Sequence, residues 1–323
     1  MKRLTQIVGL AMACAFASGA AHADTLEKPG GFPERPLTIV VPYGTGGGSD
    51  TVARALAGPL SEVVDTEVRV INQPGAGGFA ALPDYLSRPA DGYAIFQHTN
   101  FVIEGEVVGR VDIDILGELH PLCTANKAYS QVYIRTDDER SSDWESFVAY
   151  AKENPGDIKV GNVNTELGQV NLLAEAAGFE VEQINFGMPA ERYASVVGGH
   201  ADVLYEQPGD VRSFLDAGQM KPILTLLKDE RPADFPDTPI LTDVGLGDLQ
   251  TIFLTRMIMV HSDVPEARKE YLEAACRQAY ESEQFQAQLV KQNLDPATSY
   301  LTAAETRELL EGQKAAFRMI HGK

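Results

Sequence analysis

The segment Leu37-Thr-Ile-Val-Val-Pro-Tyr43 followed by Gly44-Thr-Gly-Gly-Gly48 and Ser49-Asp50 constrains the fold more than any other. An unbroken apolar run reads as a strand buried on both faces, which is the habit of parallel sheets covered by helices. The glycines break the strand, and Ser49-Asp50 supplies N-cap chemistry for a helix with apolar residues at Val52, Leu56, Leu60 and Val63. Gly58-Pro59 predicts a kink or early stop in that helix. The rhythm then repeats. Val68–Ile71 reads as a strand with Gln73-Pro-Gly-Ala-Gly-Gly78 as its exit turn, and Tyr93–Phe96 as a third strand after Asp91-Gly92. Strands separated by helices imply a mainly parallel α/β sheet.

A second set has the same logic. Ser142-Asp143 caps a helix carrying Trp144, Phe147, Val148 and Ala151, and Asn154-Pro-Gly156 stops it. Ile158–Val160 is a strand, Gly161–Gly168 a polar loop, and Leu172–Ala177 a helix ended by Gly178. A helix near Ala190–Val197 precedes the strand Ala201–Tyr205, and a long helical pattern runs on from Val264. At 323 residues with 44 % hydrophobic content, the chain can fill two modest cores, so a two-lobed protein is expected. In such sheets ligands sit beyond the carboxyl ends of strands. Gly44–Asp50 and Gly161–Gly168, one in each half, are the loops placed there.

The N-terminus reads as an export signal. Met1-Lys2-Arg3 is the positive region, Ile7–Ala17 the apolar one, and Ala21-His22-Ala23 the cleavage site. Ala11-Met12-Ala13 before Cys14 lacks the leucine of a lipobox, so cleavage after Ala23 and a periplasmic product are expected. Loss of Lys2 and Arg3 from the 27 basic residues, against 46 acidic ones, takes the net charge from −19 to about −21. Such a surface repels nucleic acid and anionic lipid, so any anion must be captured by local donors. Cys123 and Cys276 remain and are expected as two free thiols, since one distant pair is no disulfide framework.

The glycine loop leaves backbone N–H groups open beside a helix start, which suits an anion. It is not a dinucleotide fingerprint, because Ser49 stands where the third glycine falls, and it lacks the Lys-Ser/Thr ending of a P-loop. There is no G-x-S-x-G, H-E-x-x-H or paired-cysteine motif, and His98, His120, His200, His261 and His321 have no ligand spacing. Binding is favoured over catalysis, with no cofactor and no metal.

The ordered set Pro36–Asp50, Val70-Ile-Asn-Gln-Pro-Gly-Ala-Gly-Gly78, Asp91-Gly-Tyr93, Asn154-Pro-Gly156, Val197-Gly-Gly-His-Ala-Asp202 and Phe235-Pro-Asp-Thr-Pro239 resembles the Bug proteins. These are the TctC-type solute-binding components of tripartite tricarboxylate transporters. The resemblance implies a periplasmic-binding-protein-like fold (type II-like) with a cleft between two lobes, roughly 24–125 plus 255–323 and 126–254. It implies a monomer that gives a small carboxylate to large and small membrane permease subunits. The implied pincer comprises Tyr43, Thr45, Gly46, Gly47, Gly48, Ser49 and Asp50 with Asn162, Asn164, Thr165, Glu166 and Gly168, joined by Thr99, Asn100, Asp202 and Glu206. The chain departs from the family pattern at Gly44-Thr45, at the loop 161–166 and at Phe186-Gly187-Met188, where a lysine is lost. Glu166 is placed to repel a dianion or grip an amine, and Arg256 to act as a counter-charge or hinge pin. Two other readings are a receptor that signals through a sensor protein and an enzyme with a glycine-rich anion site.

Overall fold

The computed structural model describes residues 26–162, 169–249 and 253–322. The apolar run forms β1 (Leu37–Val41), and the glycine loop turns it into α1 (Gly48–Val64). β2 (Val68–Asn72), α2 (Ala81–Leu86), β3 (Ala94–Thr99) and α3 (Phe101–Val108) continue the alternation. α4 (Ile115–Glu118) then leads into the ten-residue β4 (Leu119–Ala128). Pro59 lies inside α1 without ending it. The helix buries Val52, Ala53, Leu56, Leu60 and Val64, and this packing outweighs the one backbone bond that proline forgoes.

The chain next builds β5 (Gln131–Arg135), α5 (Trp144–Glu153), β6 (Lys159–Asn162), α6 (Gln169–Ala177) and β7 (Glu182–Asn185). α7 (Pro189–Val197), β8 (Val203–Glu206), α8 (Arg212–Asp216) and β9 (Met220–Thr225) complete this part. Asp143 caps α5 in a reciprocal capping box with Ser146. β10 (Leu254–His261) returns to the first sheet, followed by α9 (Glu266–Tyr280), α10 (Glu283–Lys291), α11 (Pro296–Ser299), β11 (Leu301–Thr302) and α12 (Ala303–Ile320).

Two sheets result, in the orders β11-β4-β10-β3-β1-β2 and β7-β6-β8-β5-β9. They are mixed rather than mainly parallel. β1 is parallel to β2 and β3, and β6 is parallel to β7 and β8, while β10 runs antiparallel to β3 and β4, and β5 antiparallel to β8 and β9. β10 and β5, the strands by which the chain enters each sheet from the other, run against the βαβ direction, whereas β4 and β9, by which it leaves, run with it; β11 pairs antiparallel with β4. β4 leaves the first sheet and β10 comes back beside it, their ladder running from Leu254–Ala128 to His261–Leu119 with irregularities at Arg256/Met257 and Ile258/Met259.

The expectation of two free thiols is overturned. Cys123 on β4 and Cys276 on α9 form a disulfide, with Cα atoms 6.5 Å apart. Both are buried where α9 packs over the first sheet, so tertiary packing brings together thiols 153 residues apart. Among the described residues, no helix is long and apolar enough to cross a membrane, and no cluster of three or more His, Cys, Asp or Glu could hold a metal.

Candidate functional site

A cleft of about 360 Å3 opens where the carboxyl ends of β1, β2 and β3 face those of β6, β7 and β8. The glycine loop forms one wall. Asp50 is buried and turned inward, taking hydrogen bonds from the Gly46 amide (2.9 Å), Arg54 (2.9 Å) and Asn72 (2.9 Å). Burial opposes its ionisation, but these three donors outweigh it and hold the carboxyl below its ordinary value. Asp50 therefore braces the loop and consumes the Gly46 donor. The amides of Gly48, Ser49 and Asp50 occupy the first positions of α1, where a helix offers no internal acceptor, and the first intrahelical bond runs from Thr51 to Gly47 (2.9 Å).

Across the cleft stands the start of α7. Pro189 is its first residue and Arg192 is the first to bond back, to Met188. Gly47 lies against Pro189 so closely that a Cβ there would sit 2.7 Å from the ring Cγ, and a side chain at Gly48 would overlap Arg256 and Asp210. These glycines let two helix N-termini, one from each half, face the same space with their partial positive charge.

The floor is Tyr43, whose hydroxyl bonds Thr99 Oγ1 (2.9 Å) and lies 3.3 Å from His98 Nδ1. Burial pushes the tyrosine up to about 12, so it remains a neutral donor. His98 Nδ1 accepts from the Thr99 amide (2.8 Å), and burial drops its pKa to about 4. The third side is the turn 75–78, held in left-handed conformations at Ala76, Gly77 and Gly78. A side chain at Gly78 would strike the Tyr43 ring.

Two buried ion pairs form the far wall. Arg192 on α7 pairs with Glu206 at the end of β8. Arg256 on β10 pairs with Asp210 (2.5 Å) and also donates to Asn126 (3.0 Å) and Gln207 (3.2 Å). Burial lifts Asp210 to about 6 despite the pull of Arg256. Arg256 thus ties both crossing strands to the segment after β8.

Of the residues named from sequence, Tyr43, Gly47, Gly48, Ser49, Thr99, Asn162 and Glu206 line the cleft. Thr45, Gly46, Asp50 and Asn100 do not line it, the first two being exposed and the other two buried. Asn100 bonds the backbone of Phe253 (3.2 Å) and Thr255 (3.0 Å), holding β10 to the start of α3. Asp202 is not in the cleft. It binds Arg140 (2.5 Å) and the Lys159 amide (2.8 Å), at the amino end of β6, whereas the cleft lies at the carboxyl end. Asn164, Thr165, Glu166 and Gly168 fall outside the described residues.

Sequence reasoning missed Pro189, Arg192, Gln207 and Asp210 as cleft residues. Gln207 and Asp210 follow a strand end, the same signal that marked the glycine loop. Arg192 gave none, because its inward direction depends on how α7 packs.

A family model described as "Tripartite tricarboxylate transporter family receptor" (TctC) matches residues 52–320. The chain belongs to the TctC receptor family. A UPF0065 protein encoded in the gbd 5′ region of Cupriavidus necator is 26 % identical to this TctC receptor over 291 residues, 89 % of this chain and 87 % of that one. The periplasmic binding protein BugD superposes with a TM-score of 0.81 at 19 % identity, over 90 % of this chain and 97 % of its own. MatC from Rhodopseudomonas palustris, solved with bound malate, gives 0.81 at 19 % identity over 90 % and 99 %. A solute-binding role follows from the family, and the fold is that of periplasmic binding proteins.

Proposed function

We propose that this TctC receptor is exported, loses residues 1–23, and captures a small carboxylate between its lobes for delivery to a membrane permease. One observation carries the reading: the N-termini of α1 and α7, from opposite halves, converge on a single cleft through Gly47 and Pro189. In a protein with 46 acidic and 27 basic residues, such backbone donors are the means of holding an anion. The bound malate of MatC, a protein of the same fold, supports the ligand class.

The lobes comprise roughly 24–125 plus 255–323 and 126–254, joined at β4 and β10, and they close as a hinge over the ligand. The amides of Gly48 to Asp50 take the carboxylate. The protein works as a monomer without catalysis. Thermal-shift screening against mono-, di-, tri- and aromatic carboxylates with uncharged controls tests this. A true ligand at a hundredfold over its Kd stabilises by about 2.7 kcal/mol. Stabilisation by uncharged compounds alone refutes the carboxylate reading.

A further inference from the structure

Among the described residues lining the cleft, the cationic side chains are Arg192 and Arg256. Each is buried and each is already neutralised, Arg192 by Glu206 and Arg256 by Asp210. The sequence of 163–168 is Val-Asn-Thr-Glu-Leu-Gly and that of 250–252 is Gln-Thr-Ile, so neither stretch contains a basic residue. The formal charge of the wall formed by the described residues is therefore zero. What remains to draw an anion is the backbone at the starts of α1 and α7, each worth about half an elementary charge. That suffices for one carboxylate.

A second carboxylate would enter without a spare cation, or would have to take an arginine from its partner. The partner would then be a buried carboxylate with no counter-charge, and breaking a buried pair in this way is strongly unfavourable. The pairs still offer something to a neutral group. Arg192 Nη1 and Arg256 Nε are buried N–H donors without an acceptor among the described residues. A small movement of either side chain toward the cleft would let a hydroxyl or carbonyl oxygen satisfy such a donor without disturbing the charge balance.

We propose that the ligand carries a single carboxylate on an otherwise uncharged body, and that the two buried arginine–carboxylate pairs reject the corresponding dicarboxylate. The inference rests on the carboxylate reading above and narrows it.

Titration calorimetry on the mature chain with matched pairs tests it: hexanoate against adipate, pentanoate against glutarate, and 4-hydroxybutyrate against succinate. The monocarboxylate of the best-binding pair is expected to bind at least tenfold more tightly. Asp210→Asn and Glu206→Gln each release an arginine, and are expected to shift that preference at least tenfold toward the dicarboxylate. Should both variants misfold, the wild-type ratio still decides. A dicarboxylate that binds as tightly as its partner overturns this inference and leaves the carboxylate site standing. If no carboxylate of either kind binds, the carboxylate reading itself falls.

Discussion

Replacing Gly47 with alanine inserts a single methyl group between the two halves of the cleft. The backbone there is extended, with φ −82° and ψ 171°, so alanine adopts it without strain. The new Cβ would lie 2.7 Å from Pro189 Cγ and 3.5 Å from Pro189 Cβ. Carbon atoms rest about 3.5–4.0 Å apart, so the two walls must separate by about 1 Å at this point. Overpacking a close contact costs about 1–3 kcal/mol. On the proposed hinge motion the cost applies only while Gly47 faces Pro189, so it falls on the closed form and spares the open one. At 1.4 kcal/mol per tenfold, the Kd should rise about 5- to 150-fold. Calorimetry with the ligand found by screening measures this, and the melting temperature of the free protein controls for folding. Pro189→Ala removes the offending Cγ, so the double variant should recover most of the affinity. Wild-type affinity in Gly47→Ala, or no recovery in the double variant, refutes the reasoning.

His98 makes stability depend on pH. Burial lowers its pKa from 6.5 to about 4, so between those values the unfolded chain binds a proton that the folded one refuses. Stability from this group is intact above pH 6.5 and is lost as pH falls toward 4, by about 3 kcal/mol in all. Asp210, lifted to about 6, contributes with the opposite sign over nearly the same range, so the comparison is between proteins: in urea unfolding, His98→Gln should gain stability relative to the wild type as pH falls from 6.5 to 4, and a constant difference across that range counts against this assignment. Asp202→Ala removes the acceptor shared by Arg140 and the Lys159 amide. It should cost about 1–3 kcal/mol of stability without changing ligand affinity, and a weakened Kd would return Asp202 to the binding site.

The parts legible in the sequence are those set by local chemistry. Leu37–Tyr43 could only be a covered strand, the glycines had to end it, and Asp143 announced α5 as a cap. The run after Val264 read as one long helix because its polar and apolar residues keep helical spacing. Asn293 in a left-handed conformation and Pro296 at the start of α11 break it, and β11 intervenes before α12. Contacts between distant segments left no local trace. Nothing near Cys123 specifies that α9 will lay Cys276 over it. Likewise, nothing near Arg192 specifies that β8 will end with Glu206 beside it. Asp202 came from the family resemblance: its strand was recognised, and its place at that strand's amino end, beside the amino end of the parallel β6, sets it opposite the carboxyl-end cleft.

β4 and β10 are the two passages between the sheets, and they are also neighbours in one hydrogen-bonded ladder. Strands bonded in this way twist together but do not slide past each other, so the proposed closure would be a rotation about an axis close to the ladder. Displacement grows with distance from such an axis. In the proposed closure Asn126 and Arg256, at the ladder, would scarcely travel, while β2 and β7, at sheet edges away from it, would sweep the longest arcs. A few degrees at the ladder thus become a change in span between the far edges. A membrane protein gripping both edges would register occupancy as a length, without touching the ligand.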